Sequence, residues 1–168
     1  MTESTVQVAL REITRHNIKA VLALDVSPKQ KEVYPRSNAY SIAEGHFPAD
    51  EDPVWMRAIY ANETPVGFLM TSEVPKEGIY FLWRIMIDQG HQGHGYGRRA
   101  VELLIHRIHE NGNPQYLLTS HLKGDGNAGK FYQSLGFVYT GDVMDEADLM
   151  MKLDFQHQEA EQDSCGNG

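Results

Sequence analysis

Apolar and polar residues alternate from Val6 to Ile13, with Val6, Val8 and Leu10 set against polar neighbours, the two-residue period of a half-buried strand. From Asn17 to Leu24 the spacing changes. Ile18, Val21 and Leu22 recur at helical intervals, which predicts a short amphipathic helix ending near Asp25-Val26-Ser27-Pro28. Between Lys29 and Pro48 the pattern weakens; Ser37 to Glu44 reads as a second short helix, punctuated by Pro35 and Pro48. Trp55 to Ala61 and Val66 to Ser72 predict two strands joined as a hairpin at Asn62-Glu63. Gly78 to Ile87, "GIYFLWRIMI", is apolar at nearly every position, the mark of a buried central strand.

A glycine-rich stretch follows, "HQGHGYGRRAVELLIHRI", and opens a helix from about Gly97 to Asn111. Ala100, Val101, Leu104, Ile105 and Ile108 form its apolar face, and Arg98, Arg99, Glu102 and His109 are among its polar positions. Asn111-Gly112 and then Pro114 end it. Gln115 to His121 predicts a strand, and Ala128 to Leu135 a short helix closed by Gly136. Phe137 to Val143 and Leu149 to Phe155 predict the last two strands. From Gln156 the apolar pattern stops, so residues 156–168 are expected to be a disordered tail. With no internal repeat and no linker, residues 1–155 read as a single α+β domain of about seven strands and four helices.

Composition narrows the setting. An apolar content of 41% with 23% charged residues belongs to a soluble globular chain, and its 168 residues suit one domain with a real core. No apolar run is long enough to span a membrane. The start, MTESTVQVALRE, lacks the features of a secretory signal, and the one cysteine, Cys165, has no intrachain partner. Both favour the cytoplasm. A net charge of -8 argues against general nucleic-acid binding and favours cationic partners, although it also serves solubility.

Three glycines in alternation, Gly93, Gly95 and Gly97, are costly in backbone entropy. A dinucleotide fingerprint would need G-x-G-x-x-G and an acid about twenty residues on; here the spacing is G-x-G-x-G with no such acid. Gly124 to Lys130, "GDGNAGK", imitates a P-loop, but Phe131 stands where a Ser or Thr should bind magnesium. What remains is physical. Either this is a glycine-rich strand-to-helix turn with no ligand, or the free N–H groups and positive dipole end at the helix mouth receive an anion, with Arg98 and Arg99 adding charge beside it.

Gln92-Gly93-His94-Gly95-Tyr96-Gly97 resembles the Gln/Arg-x-x-Gly-x-Gly/Ala signature of the GNAT superfamily of N-acetyltransferases. "LWRIMID" before it resembles that family's fourth strand, and "GKFYQSLGF", residues 129 to 137, its later helix-and-strand motif. The likeness runs from about Val6 to Phe155. The N-terminal "LALDVSPKQKEVYPRSNAYSIAEGHF" is similar to the bacterial spermine/spermidine acetyltransferase branch. The resemblance implies a mixed, mostly antiparallel sheet with a splayed central parallel pair.

It also implies chemistry. Acetyl-CoA is the expected co-substrate, with its pyrophosphate on backbone amides of residues 93 to 98 and Gln92, Gly93, His94, Gly95, Tyr96, Gly97 and Arg98 around it. Its pantetheine arm is expected along Ile85, Met86 and Ile87, where a bulge opens the slot and an N–H near Ile85 meets the thioester oxygen. Tyr132 corresponds to the family's proton donor to the departing thiolate, a role the whole "FYQSLGF" context supports; the bare residue on a short helix also reads as a core or rim aromatic. The family's Asn seven residues before that tyrosine is Asp125 here, with Asn127 close by, so either is a candidate CoA contact, as is Lys130.

An acceptor amine with a pKa of about 10.4 is roughly 1 part in 10³ neutral at pH 7, a cost of about 4–5 kcal/mol. The family often supplies a Glu on the central strand, and "YFLWRIMI" has none. Glu44, Asp25, Glu32 or water relayed through Tyr80 are the candidate bases. Asp25, Glu32 and Glu44 also fall where the family shapes its acceptor site, and Trp83, Tyr34 and Tyr40 offer apolar walls. A polyamine such as spermidine or spermine is therefore the expected acceptor, with a peptide N-terminus, lysine or aminoglycoside as alternatives, and a non-catalytic acyl-CoA sensor as the alternative of another class. The pairs His91/His94 and His106/His109 invite a metal but lack an acid at metal-site spacing, so no metal is expected. His121, at a strand end beside the slot, reads first as packing. A homodimer stays open, dimers being frequent in the family.

Overall fold

The computed structural model describes residues 6–49, 51–124, 126–145 and 147–155. Asp125, a candidate CoA contact, and the tail from Gln156 lie outside the described residues.

Seven strands form one sheet in the order β1-β2-β3-β4-β5-β7-β6. They are β1 (Val8–Arg11), β2 (Val54–Ala61), β3 (Thr64–Val74), β4 (Ile79–Ile87), β5 (Tyr116–Leu122), β6 (Val138–Met144) and β7 (Asp148–Asp154). Every pairing is antiparallel except β4 with β5. The β2–β3 hairpin turns at Asn62, whose φ of 53° belongs to the left-handed region that Asn tolerates.

Five α-helices cover the sheet: α1 (Ile18–Ala23), α2 (Pro28–Val33), α3 (Asn38–His46), α4 (Tyr96–Glu110) and α5 (Gly129–Ser134). That is one more than the apolar pattern predicts. The addition, α2, buries none of its residues, so hydrophobic periodicity is silent there. Its start is set locally: Ser27 Oγ accepts the Gln30 N–H, the Gln30 side chain returns to the Ser27 N–H, and Pro28 takes the first turn. No helix among the described residues is long and apolar enough to cross a membrane.

The sheet separates two cores. Under α4, buried Ala100, Val101, Leu104 and Ile108 pack on Leu69, Leu82, Leu117 and Met151. Under α1 and α3, Val21 joins Ala58, Phe68, Met70 and Met86. Full burial of a Leu or Ile side chain contributes about 1.5–3 kcal/mol, so the α4 stripe alone pins the helix to the sheet.

Two features of β4 prepare the site. Thr71 pairs with Leu82 and Met70 with Arg84, which leaves Trp83 as an extra residue in a β-bulge. The parallel ladder with β5 lasts only from Ile79↔Tyr116 to Leu82↔Thr119. Beyond it β4 continues with β3 to Ile87, and β5 continues with β7 to Leu122. The two central strands part at the bulge and leave a wedge.

Candidate active site

The wedge opens into a cavity of about 500 Å³. Its walls come from the free half of β4, the end of β5, the glycine loop with the start of α4, the inner faces of α5 and the preceding loop, and α2. Thr119, fully buried at the last shared rung, donates from Oγ1 to the Leu82 carbonyl at 3.0 Å and closes the apex.

At the mouth, Gly93 and Gly95 have φ of 80° and 78°, backbone that side chains strain to adopt, and a Cβ on either would meet nothing within 4 Å. The open side of each is free for a ligand's close approach. Gly97 has a different reason: a Cβ there would press on Phe131 at 3.3 Å and Ile87 at 3.5 Å. Gln92 anchors the loop, donating from Nε2 to the Ile87 carbonyl and to Gln30 Oε1, both at 2.9 Å. Arg98 ties the first turn of α4 to the end of α5, donating to the Ser134 carbonyl at 2.9 Å and its hydroxyl at 3.1 Å. Glycine backbone, a fifteen-residue helix N-terminus and an adjacent guanidinium make a cradle fit for a phosphate ester.

Tyr132 faces the deep end and is 4% exposed. Burial pushes its phenol above the ordinary value; hydrogen bonding with Thr119 works the other way, and the nearby Tyr34 adds to the rise. The ring is held between Phe131 and Phe137, with centroids at 5.4 and 5.5 Å. It therefore keeps its proton through neutral pH and is positioned by packing.

The other expected residues divide cleanly. Trp83, Ile85, Met86, Ile87, Tyr96 and Asn127 line the cavity along with the loop residues and Tyr132. The Asn127 amide is used within its own turn: Oδ1 accepts the Gly129 N–H at 2.8 Å, and Nδ2 donates to the Gly124 carbonyl at 2.6 Å. His94 lies outside the lining, stacked on Tyr96 at 5.4 Å and donating to the His91 carbonyl. Lys130 is exposed and outside it too.

The acids expected at the acceptor also lie elsewhere. Asp25 bonds the Val26 N–H and pairs with Lys31. Glu44 pairs with Arg36 at 3.4 Å, Glu32 is exposed, and Tyr40 stacks under Arg36. None of the four lines the cavity. A loop or helix-surface carboxylate turns to the nearest cation or amide, and nothing in spacing alone shows which. Tyr80 lies on the α4 side, and burial raises its phenol, with Glu73 adding and Arg107 opposing. Among the described residues no carboxylate lines the cavity.

Sequence reasoning missed Arg84, a buried charge inside an apolar strand, which was the available signal. It also passed over Val26, Gln30 and Val33, because α2 went unseen. His121 lines the wall; its Nδ1 donates to the Leu122 carbonyl at 2.8 Å, so in the neutral ring Nε2 accepts from the Tyr139 hydroxyl at 2.9 Å. The helix histidine His106 does have an acid beside it, Glu110 at 3.3 Å, and His91 has Asp88 at 3.1 Å.

The sequence model of the acetyltransferase (GNAT) family matches residues 18–137, most of the chain. The chain belongs to the GNAT acetyltransferase family. The match takes in the wedge, the glycine cradle and Tyr132 together. Among curated proteins, this GNAT acetyltransferase is 27% identical over 140 residues to a spermine/spermidine N(1)-acetyltransferase of Bacillus subtilis strain 168, covering 80% of this chain and 90% of that protein. A probable spermine N(1)-acetyltransferase of Bacillus subtilis subsp. natto matches to the same extent. Its fold superposes on aminoglycoside acetyltransferase AAC(6')-Ib solved with coenzyme A, with a TM-score of 0.72 at 17% identity, covering 92% of this chain and 98% of the other. An N-acetyltransferase of Thermoplasma acidophilum, also solved with coenzyme A, gives a TM-score of 0.65 at 14% identity, covering 89% and 99%. The expected mixed sheet with one splayed parallel pair is the fold observed.

Proposed function

We propose that this GNAT acetyltransferase moves the acetyl group of acetyl-CoA to a primary amine of a small acceptor by direct attack. The observation that carries the reading is the wedge itself, with a glycine cradle at one end and a buried, protonated Tyr132 at the other. In this reading the pyrophosphate rests on the amides of residues 93 to 98, and the pantetheine arm fills the gap beside Ile85 to Ile87. The amine nitrogen attacks the thioester carbon, an N–C bond forms, and the carbonyl electrons move onto oxygen. Collapse breaks the C–S bond, and the Tyr132 hydroxyl gives its proton to the sulfur. A thiol of pKa about 8.5 is more acidic than a phenol of about 10. That transfer runs uphill unless the proton on the attacking nitrogen refills the tyrosine.

The acceptor that the Bacillus relatives support is a polyamine such as spermidine or spermine. Trp83 and Tyr34 supply apolar walls for its methylenes. The acids that would draw a polycation stand outside the lining, so this acceptor rests on the relatives. The test is thiol release from acetyl-CoA over a panel of spermidine, spermine, lysine, a peptide N-terminus and kanamycin. Turnover with spermidine or spermine supports the polyamine; turnover with another amine alone retains the transferase and removes the polyamine. No release with any amine, alongside tight CoA binding, leaves a sensor.

A further inference from the structure

Arg84 lies in the half of β4 beyond the bulge, and its side chain is packed against α3 and the segment after α2. It lines the cavity yet is only 7% exposed. Its guanidinium stands over Tyr34, 4.6 Å from the ring centroid. Nη2 donates to Asn38 Oδ1 at 3.4 Å, and Asn38 is itself held by its Nδ2 bond to the Val21 carbonyl at 2.8 Å. Nε and Nη1 are buried and have no hydrogen-bond partner among the described residues. None of the described ion pairs includes Arg84.

A guanidinium has five N–H donors arranged along two edges. With one donor given to Asn38, one complete edge of two parallel donors is still free. A buried cation without a counter-charge is expensive, and a free guanidinium edge matches a carboxylate in geometry as well as sign. The site is prepared for an oxyanion at a point distinct from the glycine cradle.

We infer that Arg84 receives a carboxylate of the acceptor, so that the preferred acceptor is an amine that also carries a carboxylate. The inference rests on the acetyl-transfer reading of the same cavity and parts from the polyamine at the acceptor. Two sources of oxyanion share this chemistry, the acceptor and the phosphates of CoA, and the experiment separates them.

Matched pairs differing by one carboxylate provide the test: lysine with cadaverine, ornithine with putrescine, tyrosine with tyramine. Binding of each to the CoA-loaded protein is measured by calorimetry, and kcat/KM by thiol release. In at least one pair the carboxylate member is expected to be favoured tenfold or more, with Arg84→Gln bringing that ratio towards one and leaving the CoA Kd within twofold. If no pair favours its carboxylate member, or if the preference survives in Arg84→Gln, the inference is overturned. A Kd for CoA that weakens tenfold in Arg84→Gln assigns the guanidinium to the donor and overturns it equally. Should Arg84→Gln fail to fold, the wild-type ratios and Arg84→Lys, which keeps the charge and loses the paired edge, decide. Failure of acetyl transfer is seen separately, as binding without thiol release.

Discussion

Asp88 and Asp25 are tied in both directions: Asp88 Oδ1 accepts the Asp25 N–H at 2.9 Å, and the Asp25 carbonyl accepts the N–H of Gln89, next to Asp88, at 2.8 Å. Asp88 Oδ2 also accepts from Gly90 N–H and His91 Nδ1, both at 3.1 Å. One carboxylate thus joins the end of β4, the root of the glycine loop and the approach to α2. Burial raises its pKa, but the bonds from Asp25, His91 and Gly90 outweigh that and leave it below the usual carboxylate value.

A carboxylate with a depressed folded-state pKa stabilises the fold above its unfolded value, about 3.9, and loses that contribution as pH falls through the folded value. Asp88→Asn is expected to cost about 1.5–3 kcal/mol at pH 7. Thermal melts from pH 7 down to pH 3 check it. The gap between wild type and variant should shrink below about pH 4, and a gap constant in pH would contradict the assignment.

Tyr132→Phe removes the hydroxyl and keeps the ring between Phe131 and Phe137. The kcat is expected to fall by about 10²-fold or more, the scale of a lost general acid, with CoA affinity held within twofold. Because the phenol is raised, no loss of kcat below about pH 10 should trace to it. Single-turnover rates against pH, with calorimetry on CoA, test both statements.

At Gly93 and Gly95 an alanine methyl enters open space, so no protein contact opposes it. Positive φ still costs a side chain about 1–2 kcal/mol. Gly93→Ala and Gly95→Ala should each weaken CoA binding at least tenfold with only that modest loss of stability. Gly112→Ala, also in open space but away from the cavity, is the control and should change neither. Unaltered CoA affinity in both loop variants would remove the cradle from this segment.

Thr119→Val deletes the hydroxyl at the apex. The lost bond to the Leu82 carbonyl should cost about 1 kcal/mol, or about 2–4 °C in Tm for a domain of this size. Thr119→Ser keeps the hydroxyl and should restore that loss.

Glycine announces itself because it marks backbone that other residues avoid, and so the loop at Gly93 and Gly95 was legible from the chain alone. So was α4, whose apolar residues repeat every three to four positions. The family resemblance implied a bulge in β4, but its place at Trp83 was not legible, since a strand apolar at nearly every position hides which residue is extra. The helix α2 left a polar signature, Ser27 with Gln30, that a search for buried faces passes over. Asp25 looked like an acceptor-site acid because its type and region fitted. Its direction is decided by Lys31 and the Val26 amide, which sequence spacing does not encode.

The four rungs from Ile79 to Leu82 are the only strand ladder between strands β1–β4 and strands β5–β7 among the described residues. The sheet is thereby two half-sheets sharing a short ladder, with the α4 core packed across both. A pantetheine arm laid along β4 beyond Leu82 would lengthen that ladder. Donor binding would then add a second brace beside α4, and amide exchange in Ile85, Ile87 and His121 should slow together.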